Sequence, residues 1–191
     1  FPDYRHYAAY STWFGVKMPV DFDICVLANI LYMVEDYDLP YTKSDSASLD
    51  LICEMIKNRH HINNSTYISP YYDRTSVILY HLPRLMKAGS MPKLEQYREQ
   101  LIDDAKSCYK NSSNLLDKII LSTALMRWNQ EPPVERFEIN NDLHSYIEDN
   151  EFVFFIGNIA CILPNPYNEW AVKTAIGKFY YSCPAYNLTL V

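Results

Sequence analysis

The chain has 191 residues, an apolar fraction of 49% and a formal net charge of −6. That length buries one substantial core, so a single domain over residues 1–191 is expected. The acidic balance argues against a nucleic-acid backbone as partner, and no run approaches the roughly 18 apolar residues of a membrane span. Four glycines against eleven prolines leave little for hairpin turns or phosphate-cradling loops, which favours helices over turn-rich sheets.

In chain order, the first aromatic cluster is Tyr4, Tyr7, Tyr10, Trp13 and Phe14. Asp21 to Asp36 then reads as an apolar helix, with Asp21 placed to cap it and Cys25, Val26, Ile30, Met33 and Val34 at helical spacing. Tyr41 to Asp45 reads as a polar turn. Ser46 to Arg59 is amphipathic: Leu49, Ile52, Cys53 and Ile56 form one stripe, and Glu54, Lys57 and Asn58 lie off it. The doublet His60-His61 falls at that helix's end, where an exposed imidazolium suits the dipole.

A connector from Asn63 to Tyr72 carries Tyr67, Tyr71 and Tyr72. Asp73 opens a second apolar helix, which Pro83 should kink and Gly89 should end. Lys93 to Lys110 is amphipathic again, and Leu115 to Trp128 is a third apolar helix. Pro132 to Asn150 suggests one short helix near Leu143. Glu151 to Leu163 reads as a buried helix, with a strand pair as the alternative, and Glu169 to Tyr181 as a last helix.

Apolar and amphipathic segments thus alternate. Sliding the chain by 52 residues lays Val77, Ile78, Leu79 and Leu82 on Cys25, Val26, Leu27 and Ile30. Such alternation is what inner helices covered by wetter outer ones require. The expected fold is all-α, built from helix-pair repeats as a partial or open α/α toroid, with a plain helical bundle as the alternative.

Two segments, Pro19 to Asn29 (PVDFDICVLAN) and Tyr71 to Val77 (YYDRTSV), carry a resemblance to the α/α toroids of the squalene cyclase, terpene cyclase and protein prenyltransferase superfamily. The resemblance implies an acidic motif at the start of an inner helix, facing a central cavity. Asp21 and Asp23 match the first two acids of the cyclase D-x-D-D-T motif, which makes them the catalytic candidates. Ile24 and Cys25 stand where that motif has its third Asp and its Thr. Asp23-Ile24-Cys25 is also similar to the Asp and Cys zinc ligands of the prenyltransferases. The matching His is absent near Asp73, and His81 lies roughly 12 Å further along the helix axis. No metal or other cofactor is therefore expected.

Each candidate also has a plain structural role. Asp21, Asp23 and Asp73 suit helix capping. Asn29 and His81, opposite each other in the repeat alignment, would either bond one another between helices or form the polar floor of a cavity. Asn29, Asp73, His81, Tyr71, Tyr72 and Trp13 are the ligand-binding candidates. The functional expectation is an apolar or carbohydrate ligand, or a protein partner, bound on an aromatic-lined inner face. The alternatives are a toroid-type enzyme working through Asp21 and Asp23, and a structural subunit of a larger assembly.

Five scattered cysteines suit buried thiols better than a disulfide framework, whereas glycan-acceptor triplets begin at Asn63, Asn64, Asn111 and Asn187. The compartment stays open. A chain that starts at Phe1 and ends in the apolar run Leu188–Val191 is expected to be a processed product or a piece of a longer protein, and an oligomer is a further possibility.

Overall fold

The computed structural model describes residues 4–13, 20–134, 145, 152–158, 163–164, 166–172, 174 and 177–189. The main helices are α1 (Ile24–Asp36), α2 (Lys43–Lys57), α5 (Thr75–Ala88), α7 (Arg98–Asn111) and α8 (Leu115–Arg127). Short turns of helix join them: α3 (His60–Asn63) and α4 (Ser65–Ile68) before α5, and α6 (Pro92–Glu95) before α7. Beyond α8 come β1 (Val153–Asn158), α9 (Tyr167–Val172), β2 (Lys178–Ser182) and α10 (Pro184–Thr189). The described chain is mostly helical and belongs to the all-α class, with one small two-stranded sheet. The helix expected near Leu143, Phe14 and Cys161 lie outside the described residues.

Local chemistry sets the ends of these helices. Asp23 is extended, and its carboxylate accepts from Cys25 N–H at 2.8 Å and Val26 N–H at 3.3 Å, so α1 is capped by Asp23 and not by Asp21. The expected polar turn at Tyr41 to Asp45 is instead the start of α2. Thr42 and Asp45 form a reciprocal capping box, with Thr42 N–H to Asp45 Oδ2 at 2.7 Å and Asp45 N–H to Thr42 Oγ1 at 3.2 Å. Asp73 does not cap α5, whose first turn has no side-chain cap; its Oδ2 accepts from Thr66 Oγ1 at 3.3 Å. With glycine scarce, Asp38, Arg59 and Asn129 take the left-handed conformation after α1, α2 and α8.

The main helices pack in two layers. α5 lies between α1 and α8, α2 backs α1, and α7 backs α8 and α5. Leu27, Leu31, Leu51, Ile52, Ile56, Ile78, Leu79, Leu82, Leu101, Ala105 and Leu125 fill the space between them. The apolar segments therefore form one row and the amphipathic ones its cover. The equivalence within the row is shifted from the sequence alignment. Leu27, Ala28 and Leu31 of α1 are buried like Ile78, Leu79 and Leu82 of α5, and Val26 and Ile30 are half-buried like Val77 and His81. Those pairs are one residue closer in sequence than the alignment has them. One residue turns a helix by about 100°, so Asn29 and His81 do not occupy matching places.

The C-terminal part departs from the helical expectation. Val153 to Asn158 is a strand, where the aromatic and β-branched run Val153-Phe154-Phe155-Ile156 favours extended backbone. It pairs antiparallel with β2, from Val153 opposite Ser182 to Asn158 opposite Lys178, with a bulge between Val153 and Phe155. The helix expected over Glu169 to Tyr181 stops at Val172. Gly177 takes a positive φ of 79° and the aromatic run after it enters β2. Phe152 seats this sheet against α8 by packing on Leu116 and Ile120.

Candidate functional site

Apart from Asp73, which is held by Thr66, the site candidates singled out in the sequence fall into two separate places. The first is the knot at the start of α1. Asp23 is fully buried, and besides its capping bonds it accepts from Ser69 Oγ at 2.9 and 3.0 Å and from Tyr71 N–H at 3.3 Å. Loss of water pushes its carboxyl up to about 7, against the pull of the hydrogen bonds from Ser69, Val26, Tyr71 and Cys25. Burial also raises the neighbouring Cys25 thiol well above its ordinary value.

Asp21, two residues ahead, accepts from the Tyr71 hydroxyl at 2.6 Å, and that hydroxyl accepts from Trp13 Nε1–H at 2.7 Å. Tyr71 is buried, its ring stacked on Phe155 at 6.2 Å and edge-on to Trp13 at 5.5 Å. Its carbonyl accepts from Ile156 N–H at 2.9 Å, while Tyr72 meets Phe155 edge-on at 5.7 Å. Asp21, Asp23, Trp13, Tyr71 and Tyr72 therefore come together, as a joint between α1, the connector before α5 and β1, with Asp23 and Tyr71 buried and Trp13 exposed at its rim.

The second place is the face of the α1–α5–α8 row that the outer layer leaves uncovered. A stripe of half-buried and exposed side chains runs along each helix: Val26, Ile30 and Met33; Val77, Tyr80, His81 and Arg84; Ile119, Ser122 and Met126. Asn29 bonds not to His81 but to Arg84, whose Nη1–H reaches Asn29 Oδ1 at 2.8 Å. The Arg84 guanidinium lies over the Tyr32 ring at 3.9 Å, and that of Arg127 over Tyr80 at 4.6 Å, with Nη2–H donating to the Tyr80 hydroxyl at 3.2 Å. His81, edge-on to Tyr80, is driven down to about 4 by burial and by the positive charges of Arg84 and Arg127, so it is neutral at physiological pH. Phe154 of β1 meets the Tyr186 ring of α10 at 5.2 Å and packs in one cluster with Phe152, Val77, Tyr80 and Ile119, so the sheet covers part of this face.

A third arrangement was invisible in the sequence because its partners are far apart in the chain. Arg74 forks onto Asp117, with Nε to Oδ1 at 3.0 Å and Nη2 to Oδ2, and Ser76 Oγ donates to the same carboxylate. They line a cavity of about 240 Å³ with Cys108 and Ser112; a neighbouring one of about 340 Å³ shares those two residues and adds Arg59 and Asp104. Asp104 bonds Arg59 Nη2 at 2.5 Å and His61 Nε2 at 2.8 Å. The histidine doublet is thus buried and not exposed, because His61 is held by a carboxylate from α7 and His60 packs against Tyr4 and Tyr67. Every charge on this groove already has an opposite partner, which makes it a charge-neutral brace between α3, α5, α7 and α8.

Cys25, Cys53, Cys108 and Cys183 are free thiols, and no three metal-ligating side chains converge among the described residues. No helix among the described residues is long and apolar enough to cross a membrane. No family model, curated protein or solved structure matches the chain.

Proposed function

We propose that the chain is a toroid-like α/α domain that binds a ligand on the face of α1, α5 and α8 that α2 and α7 leave open among the described residues. The observation that carries this reading is the pre-arranged placement of Arg84 on Asn29 and Tyr32 and of Arg127 on Tyr80, on helices that also present the exposed side chains of Met33 and Met126. Polar heads tied to one another within an apolar, aromatic surround are the usual make-up of a small-molecule site. Acid catalysis from Asp23 has weaker support, since both carboxylate oxygens are engaged and no solvent reaches them.

A native-mass screen of isoprenoid alcohols and neutral or acidic oligosaccharides tests the proposal. At least one compound is expected to bind, and Tyr80→Ala is expected to abolish binding while the protein stays folded. Binding untouched by Tyr80→Ala and by Tyr32→Ala would remove the face from consideration.

A second reading, a unit of a larger assembly, is favoured by the run Phe179-Tyr180-Tyr181 on β2. About half of each of these side chains is in water: 54%, 54% and 50%. Exposed aromatic surface of that kind marks interaction sites. Sedimentation is expected to show self-association that Tyr180→Lys abolishes; a monomer at all concentrations would count against it.

A further inference from the structure

We infer that the uncovered face recognises an oxyanion, a carboxylate or phosphate group on its ligand, through Arg84 of α5 and Arg127 of α8; this rests on the ligand-binding reading above. The charge pattern carries the inference. Arg59, Arg74 and Arg98 each pair with a carboxylate, respectively Asp104, Asp117 and Glu95. Arg84 and Arg127 do not: among the described residues their partners are the neutral groups Asn29, Tyr32 and Tyr80.

Those partners use one N–H of each guanidinium and leave most of its donors open. They also fix its plane against a ring, so little side-chain freedom remains to be lost when an anion is gripped. Arg127 lies over the Tyr80 ring, which meets His81 edge-on, and Arg84 follows one helical turn further along α5, so two like charges share this side of α5 with no carboxylate partner among the described residues. An oxyanion held beside them offsets that like charge and makes charge-assisted bonds to the donors they leave open.

The net charge of −6 opposes a polyanion, so a compact ligand bearing one or two charges fits best. Met33 and Met126 offer its uncharged part an apolar surface.

The test uses matched probes: galactobiose against digalacturonate, farnesol against farnesyl phosphate, and inorganic phosphate alone. Affinity is measured calorimetrically on the wild-type chain and on Arg84→Gln and Arg127→Gln, with the His81 imidazole followed by NMR. The acidic member of at least one pair is expected to bind about tenfold or more tightly than its neutral partner, and each Arg variant to erase that advantage. Which pair responds separates carboxylate from phosphate. The charged probe is also expected to raise the His81 pKa in the wild-type protein, a readout that needs no variant to fold. Equal binding of neutral and acidic probes would overturn the oxyanion inference and leave the ligand-binding face standing. No binding by any probe, with His81 unmoved, would remove both.

Discussion

Asp23 and His81 are buried ionisable groups whose folding linkages run in opposite directions. The Asp23 carboxyl titrates near 7 when folded against 3.8 ordinarily, so the folded state binds the extra proton between those values. Its charging cost is absent below about pH 4 and complete above about pH 7, on the order of a few kcal/mol. His81 is depressed from 6.5 to about 4, so here the unfolded state binds the extra proton. That penalty is absent above about pH 6.5 and grows as the pH falls to 4. Between these limits the two offset one another.

Denaturant melts of the wild type against Asp23→Asn are expected to show the wild type losing relative stability as pH rises from about 4 to 7. Against His81→Gln it is expected to lose relative stability as pH falls from about 6.5 to 4. A difference flat with pH in either comparison would mean that the group stays solvated in the folded protein. Asp23 was legible in the sequence as an acid at a helix start, but its burial depends on Ser69 and Tyr71, 46 and 48 residues away. No local pattern announces that.

Among the elements, the helices of the row were readable because their apolar stripes and flanking polar residues are local signals. Asn114, which caps α8 by accepting from Asp117 N–H at 3.2 Å, stands immediately ahead of the segment read as starting at Leu115. The sheet was not readable, because Glu151 to Leu163 is short and apolar, and such a run suits a buried helix or strand equally. The choice was made by distant partners: β2 on one side, and the Tyr71 carbonyl as acceptor for Ile156 N–H.

Phe152, buried at 1% exposure beneath the Arg74 guanidinium at 4.6 Å, anchors that sheet. Phe152→Ala is expected to cost about 3–5 kcal/mol in denaturant unfolding and to speed hydrogen exchange in β1 before α1. A loss under 1 kcal/mol would mean that the sheet is held elsewhere. At the end of α1, Asp38 occupies a left-handed position with φ 49°, where a side chain is mildly strained. Asp38→Gly is expected to stabilise the chain by about 0.5–1 kcal/mol, read as a rise in melting temperature, whereas a fall would show that the Asp38 side chain contributes more than its backbone strain removes.

For the molecule as a whole, alternation of apolar and amphipathic helices sorts the chain into a covered row and its cover. This order was legible because burial on most sides demands an apolar helix and burial on one side an amphipathic one. The functional candidates were less legible. Asp21 and Asp23 were read as catalytic candidates and Trp13, Tyr71 and Tyr72 as ligand-binding ones, and the structure joins the two sets in one hydrogen-bonded and aromatic joint. Asn29 and His81 sit on or beside the face that α2 and α7 leave open, but Arg84 and Arg127 drew no reading, because their partners Tyr32, Asn29 and Tyr80 lie far off in the chain.

The methionines offer the most direct test of the claim that this face binds ligand. Met33 of α1 and Met126 of α8 are 55% and 53% exposed, while Met55, Met86 and Met91 are buried in the core. Methyl NMR of a methionine-labelled sample, titrated with the tightest probe from the screen, is expected to move Met33 and Met126 and leave the three buried methyls in place. Shifts confined to Met55, Met86 or Met91, with Met33 and Met126 still, would contradict it.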